Sequence, residues 1–177
     1  GNVALHLGLN HPDRTEAVIA ACTGSGSSGD DGFIERFREI AEMLDRGELE
    51  RFADALMSAP SFAGFLRLRP DLVELQRKQL LENNARGLAN TIRGVQMMRP
   101  SIMTLGEKLK KLSVPTLILV GDEDIPCYEP ANFMREHIPR SKLVVFPQTG
   151  HILNLERPAD FNREVMEFLG AVESGQI

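Results

Sequence analysis

Two short stretches carry residue types suited to general-base chemistry. "VGDEDIPCYEP", residues 120–130, holds Asp122, Glu123 and Asp124, and "PQTGHILNLERP", residues 147–158, holds His151 in a Gly-containing turn. Each follows a continuous apolar run, "TLILV" and "LVVF" respectively. An Asp that accepts a hydrogen bond from one imidazole nitrogen fixes the tautomer and stabilises the imidazolium. The other nitrogen is then free to take a proton from a nucleophile. Taken singly, each stretch has a plainer reading: turn acids covering a strand end, and a surface His. An acidic strand-end loop followed by a "GH" strand-end loop favours the chemical reading, with Asp124 and His151 as the pair and Asp122 as the lesser candidate for the acid. The pair is 27 positions apart (151 against 124), so only the fold can join it.

The surrounding elements must bring those loops to one place. "GNVALHLGLN" has helical spacing from its first turn, although no capping residue precedes Gly1. "AVIAACT" reads as a buried strand, which places Cys22 in the core. From Phe33 to about Met103 the texture is helical. Phe33, Ile34, Phe37, Ile40, Ala41 and Leu44 share one face, Leu49, Phe52, Ala53 and Leu56 another, and two further amphipathic stretches follow. "TLGE" at Thr104–Glu107 has capping-box spacing. Then come a strand in "VPTLILVG", a helix in "EPANFMREHIP" with Pro130 in its first turn, a strand in "KLVVFP", a loop, and a closing helix that buries Phe161, Val165, Phe168 and Val172. Strands alternating with helices imply an α/β fold with a parallel sheet, whose ligands gather at the carboxyl ends of the strands. Residues 1–23 and 104–177 form its core, and 24–103 form an inserted helical cap.

Composition narrows the function. The chain has 177 residues, 42% apolar and 25% charged, enough to bury roughly 70% of its unfolded surface as one domain. A net charge of −5 and scattered Lys and Arg argue against nucleic acid or an anionic membrane as partner. Lys108, Lys110 and Lys111 read as a solvated face. No stretch resembles a signal peptide or a membrane span. The two Cys show no CxxC spacing, which fits free thiols in a reducing, cytoplasmic setting. The four His are scattered and suggest no metal site. "GSGSSG" at Gly24–Gly29 matches the dinucleotide pattern GxGxxG, but "DDG" intervenes before the helix and the two acids would repel a pyrophosphate. A hinge into the helical block explains it more simply.

Together the opening and the two loops resemble the C-terminal portion of the α/β-hydrolase fold superfamily. "GNVALHLGLNHPDR" matches the helix after that family's nucleophile elbow. Pro115 to Asp124 match "PTLxxxGxxD", and Gly150, His151, Glu156 and Pro158 match "GHxxxxExP". The resemblance implies a hydrolase of an ester-like, lactone or carbon–carbon bond in a small, apolar substrate, with Asp124 as triad acid, His151 as triad base and no cofactor or metal. It places Gly1 three residues after the nucleophile, so the chain alone is expected to be inactive, with a missing N-terminal segment as partner. The alternatives are a non-catalytic binder of the same fold, or an Asp-nucleophile enzyme of the dehalogenase or epoxide-hydrolase kind. No Ser of this chain lies in GxSxG. Cys127 sits in the acid's loop rather than at an elbow, which argues against it as the nucleophile. Glu156 is expected to hold the His loop or cap the last helix. His6, His11 and His137 read as structural or surface residues. Met43, Met57, Met97, Met98 and Met103 read as packing, with some available to line an adaptable pocket.

Overall fold

Every residue of Thr116–Gly121 is buried, as a central parallel strand requires. In the computed structural model, which describes residues 1–26 and 31–177, this strand is β2. It lies between β1 (Val18–Ala21) and β3 (Ser141–Phe146), parallel to both, with Val18 and Ser141 in register with Thr116. The alternation of side chains across the pleat divides the core. Ile118 and Val120 pack with Leu5, Leu109, Ala131, Met134 and Ile138 on one face. Those residues come from α1 (Asn2–Asn10), α7 (Gly106–Leu109) and α8 (Ile125–His137) with its C-cap. Leu117 and Leu119 face the other way, toward Phe161, Val165, Phe168 and Val172 of α10 (Pro158–Glu173).

Between β1 and α7 run α2 (Asp31–Asp45), α3 (Leu49–Met57), α4 (Ala63–Leu68), α5 (Val73–Leu81) and α6 (Ala85–Thr91), the last passing into a π-turn over Ile92–Gln96. They contribute to two small clusters apart from the sheet's core. One joins Ala41, Leu44, Ala89 and Ile92, and the other joins Met57, Phe62 and Phe65. Among the described residues no helix is long and apolar enough to cross a membrane.

Four local expectations are corrected. Thr104 does not cap a helix through "TLGE": Ser101 caps a 3₁₀ turn over Ile102–Thr104, and Thr104 Oγ1 donates to the Ser101 carbonyl at 2.7 Å. That turn uses Thr104, and α7 starts after it without a side-chain cap. Second, α8 begins at Ile125, with Pro126 in its first turn and Pro130 inside the helix. Pro126 needs no N–H there, and that lets the helix start inside what reads as loop. Third, the loop after β3 contains a short helix, α9 (Leu153–Glu156). Fourth, Cys22 is not within a strand. It follows β1 in left-handed backbone, φ 43°, and is half-buried at the carboxyl edge.

Candidate functional site

The carboxyl ends of β2 and β3 are interlocked through backbone. A Cβ at Gly121 would lie 2.1 Å from the Thr149 carbonyl oxygen, so only glycine allows the two loops to approach this closely. Asp122 N–H donates to Phe146 O at 3.1 Å, and Glu123 N–H donates to Thr149 O at 3.0 Å. Asp122 Oδ1 accepts from Thr149 N–H at 3.3 Å, which makes Asp122 an anchor of the following loop rather than a partner of His151. Beyond Gln148, itself left-handed at φ 53°, three successive N–H groups are held. Gly150 and Ile152 donate to the two oxygens of Glu156 at 2.6 and 2.9 Å. His151 N–H donates to Ser61 O at 3.1 Å. Glu156 is 5% exposed and fixes the His loop from below. A Cβ at Gly64 would meet its Oε2 at 2.5 Å, so the start of α4 also closes directly on this loop.

In this frame Asp124 and His151 meet. Asp124 is the N-cap residue of α8, yet its carboxylate turns away from the helix, and Oδ2 accepts from His151 Nδ1 at 2.8 Å. The carboxylate is 1% exposed, while the imidazole is 44% exposed. Burial pushes the Asp124 pKa up, but the hydrogen bond and charge of His151, helped by the two thiols, outweigh it and hold it below the usual value. The hydrogen bond to Asp124 raises the His151 pKa against an opposing burial effect. Cys127 Sγ lies 3.7 Å from His151 Nδ1, and the Cys22 thiol reaches Gly150 O at 3.9 Å. Burial, followed by the Asp124 charge, drives both thiols far above their ordinary pKa, so both are neutral.

The pair opens on a cleft of about 710 Å³. Gly1, Cys22, Gly24, Ser61, Cys127 and His151 line its floor. Phe33, Phe37, Leu56, Phe62 and Val95 give it an apolar wall, into which Arg36, Gln96 and Arg99 bring polar groups. The π-turn (Met97 N–H to Ile92 O, 3.0 Å) presents Val95 and Gln96. No methionine is among the described lining residues, so the methionines of the block do not form an adaptable pocket. Of "GSGSSG", Gly24, Ser25 and Gly26 line the cleft, and Ser27–Gly29 lie outside the described residues. His11 is exposed, and His137 stacks on Phe133 with its Nδ1 2.8 Å from the Phe133 carbonyl. Sequence reasoning missed Ser61, which acts through its backbone, Arg36 and Gln96, which belong to helical segments legible only as amphipathic, and Arg99, which lies in the bend after the π-turn.

No family model matches the chain. A Bacillus subtilis (strain 168) protein assigned as a 2-succinyl-6-hydroxy-2,4-cyclohexadiene-1-carboxylate synthase is 28% identical over 175 residues, 97% of this chain and 63% of its own length. The 3-oxoadipate enol-lactonase 2 of Acinetobacter baylyi is 26% identical over 162 residues, 90% of this chain and 56% of the lactonase. Among solved structures, MenH from S. aureus matches with a TM-score of 0.86 and 26% identity, over 97% of this chain and 65% of that one. The chain thus spans less than two thirds of the length of these relatives.

Proposed function

The chain belongs to the α/β-hydrolase superfamily, and from that premise we propose that it carries the acid and base of a hydrolytic triad, acting on an ester-like, lactone or carbon–carbon bond of a small molecule. The observation that carries this reading is the 2.8 Å hydrogen bond between buried Asp124 and the partly open ring of His151, at the mouth of a roomy cleft. Asp124 holds the proton on Nδ1, which makes Nε2 the base that takes a proton from the nucleophile and returns it to the leaving group. The nucleophile belongs to the segment preceding Gly1. Gly1, Asn2 and Val3 line the same cleft as His151, which supports that placement. Among the described residues the hydrogen-bond partners of His151 are Asp124, Cys127 and the backbone of Ser61, and none is a hydroxyl.

Arg36 and Arg99 beside Phe33, Phe37 and Phe62 extend the reading to a substrate that joins an apolar body to an acidic group. The names of the two curated relatives, a cyclohexadiene carboxylate and an oxoadipate lactone, are of that kind. Free Cys22 and Cys127 suit a reducing compartment.

The test uses a chain in which a Ser elbow precedes Gly1. There His151→Ala lowers turnover of an activated ester by about 10⁴- to 10⁶-fold with little change in KM. Unchanged turnover would refute the assignment. Residues 1–177 alone hydrolyse no activated ester; turnover that His151→Ala abolishes would overturn the placement of the nucleophile.

A further inference from the structure

The two thiols beside the Asp124–His151 pair have no part in that chemistry, yet both face it. Donor atoms of Cys22, Asp124 and His151 all lie within 4.8 Å of one another. Cys127, 2% exposed in the first turn of α8, stands outside that trio but places its Sγ 3.7 Å from His151 Nδ1, where it can turn in as a fourth donor. Asp124 Oδ1 is buried without an N–H or O–H donor. All four residues line the cleft, so a small ion reaches them from solvent.

We propose that Cys22, Cys127, Asp124 and His151 form a binding site for a thiophilic divalent cation of the Zn²⁺ class. Two sulfurs, one imidazole nitrogen and one carboxylate oxygen are a donor set that zinc takes in tetrahedral geometry. Metal–ligand bonds of about 2.0 to 2.3 Å place tetrahedral donors roughly 3.3 to 3.8 Å apart. The 3.7 Å sulfur–nitrogen separation already meets this, and the 2.8 Å contact between Asp124 and His151 opens slightly to admit the ion. Mg²⁺ and Ca²⁺, which take oxygen ligands, do not suit the set.

Binding replaces protons with metal. Each thiol loses its proton to solvent and becomes a thiolate ligand, so two protons leave per ion. The ion takes the Nδ1 lone pair, and the ring proton moves from Nδ1 to Nε2. A ring protonated at Nε2 no longer serves as base, so an occupied site is an inhibited one. That consequence rests on the proposed hydrolytic role, whereas the binding does not.

The experiment needs only residues 1–177, reduced and metal-free, titrated with ZnCl₂ by calorimetry and with CoCl₂ by absorption. The expected result is one ion per chain, about two protons released, and a thiolate-to-cobalt charge-transfer band. Cys22→Ala and Cys127→Ala each lower Zn²⁺ affinity by more than about 100-fold, since loss of a direct ligand exceeds the cost of losing a supporting one. Circular dichroism confirms that the variants fold. If buried Cys127→Ala does not, the half-buried Cys22 position carries the test alone. Absence of Zn²⁺ binding, equal affinity in Cys22→Ala, or equal binding of Mg²⁺ overturns the proposal. Turnover is not a readout, so this result and the triad assignment fail or stand separately.

Discussion

At the floor of the cleft, backbone meets backbone: Gly121 packs on the Thr149 carbonyl, and Glu156 takes the N–H groups on either side of His151. The helical wall is tied differently. Ala41, Leu44, Ala89 and Ile92 form a cluster that includes no sheet residue, edged by exposed pairs such as Arg93 with Asp45. The segment around α4 binds wall to floor beside the His loop. Ser61 O accepts from His151, the Arg67 guanidinium bonds Glu123 and the Gln148 carbonyl, and Arg69 bonds the Leu155 carbonyl. Phe62 and Phe65 pack with Ile152 and Leu155 from the His loop. The geometry of the Asp124–His151 pair thus rests where neighbouring backbones fix one another. Cleft-lining groups such as Arg36 and Gln96 rest on helices with fewer ties, where sequence can change at less structural cost.

The contrast is most sharply tested at the latch. Phe65 is fully buried, and Phe65→Ala leaves a cavity between wall and floor that costs about 3–5 kcal/mol in urea unfolding. Hydrogen exchange should rise at both α4 and the His151 loop. Protection lost only within the helical block would show that α4 is not the link. Within the floor itself, Glu156→Gln keeps the size of the side chain but removes one of two acceptor oxygens, at a cost of about 1–3 kcal/mol. By comparison Arg93→Ala, at an exposed pair in the wall, should leave the midpoint unchanged. An equal loss from the two variants would erase the distinction.

The smallest effect is one of pH. The lowered Asp124 pKa gives stabilisation that is complete above the unfolded value of about 3.9 and is lost as pH falls through the folded one. The raised His151 pKa gives stabilisation that is complete below about 6.5 and is lost as pH rises through the folded one. Stabilisation by the pair is therefore greatest between about pH 4 and 6.5. Thermal midpoints of Asp124→Asn, measured with a chelator present, should fall less than those of the parent chain as pH drops below about 4 or rises above about 6.5. Parallel curves would mean that the pair does not couple to folding.

Much of this arrangement is written in local pattern. Apolar runs of strand length, helical periodicity and the acidic and "GH" loops at strand ends identify the sheet, most helices, Asp124 and His151, because each depends on residues a few positions apart. Glu156 as the holder of the His loop is legible for the same reason, being five residues from His151. "SFAGFLRL", residues 61–68, gives no such signal: its helix is short, and its contacts are with Gly150, His151 and Leu155, far along the chain. The start of α8 is hidden by Pro126 and Pro130, which read as loop residues. Cys22 reads as core because sequence alone does not show that β1 ends at Ala21 and that the backbone then turns left-handed. The sequence by itself determined which residues could act as acid and base, since that is a matter of residue type and of position at a strand end. The tertiary structure alone decided what surrounds them, two neutral thiols, a latch and a cleft with two arginines, because those contacts form between segments from 24 to 128 positions apart, where no local periodicity reaches.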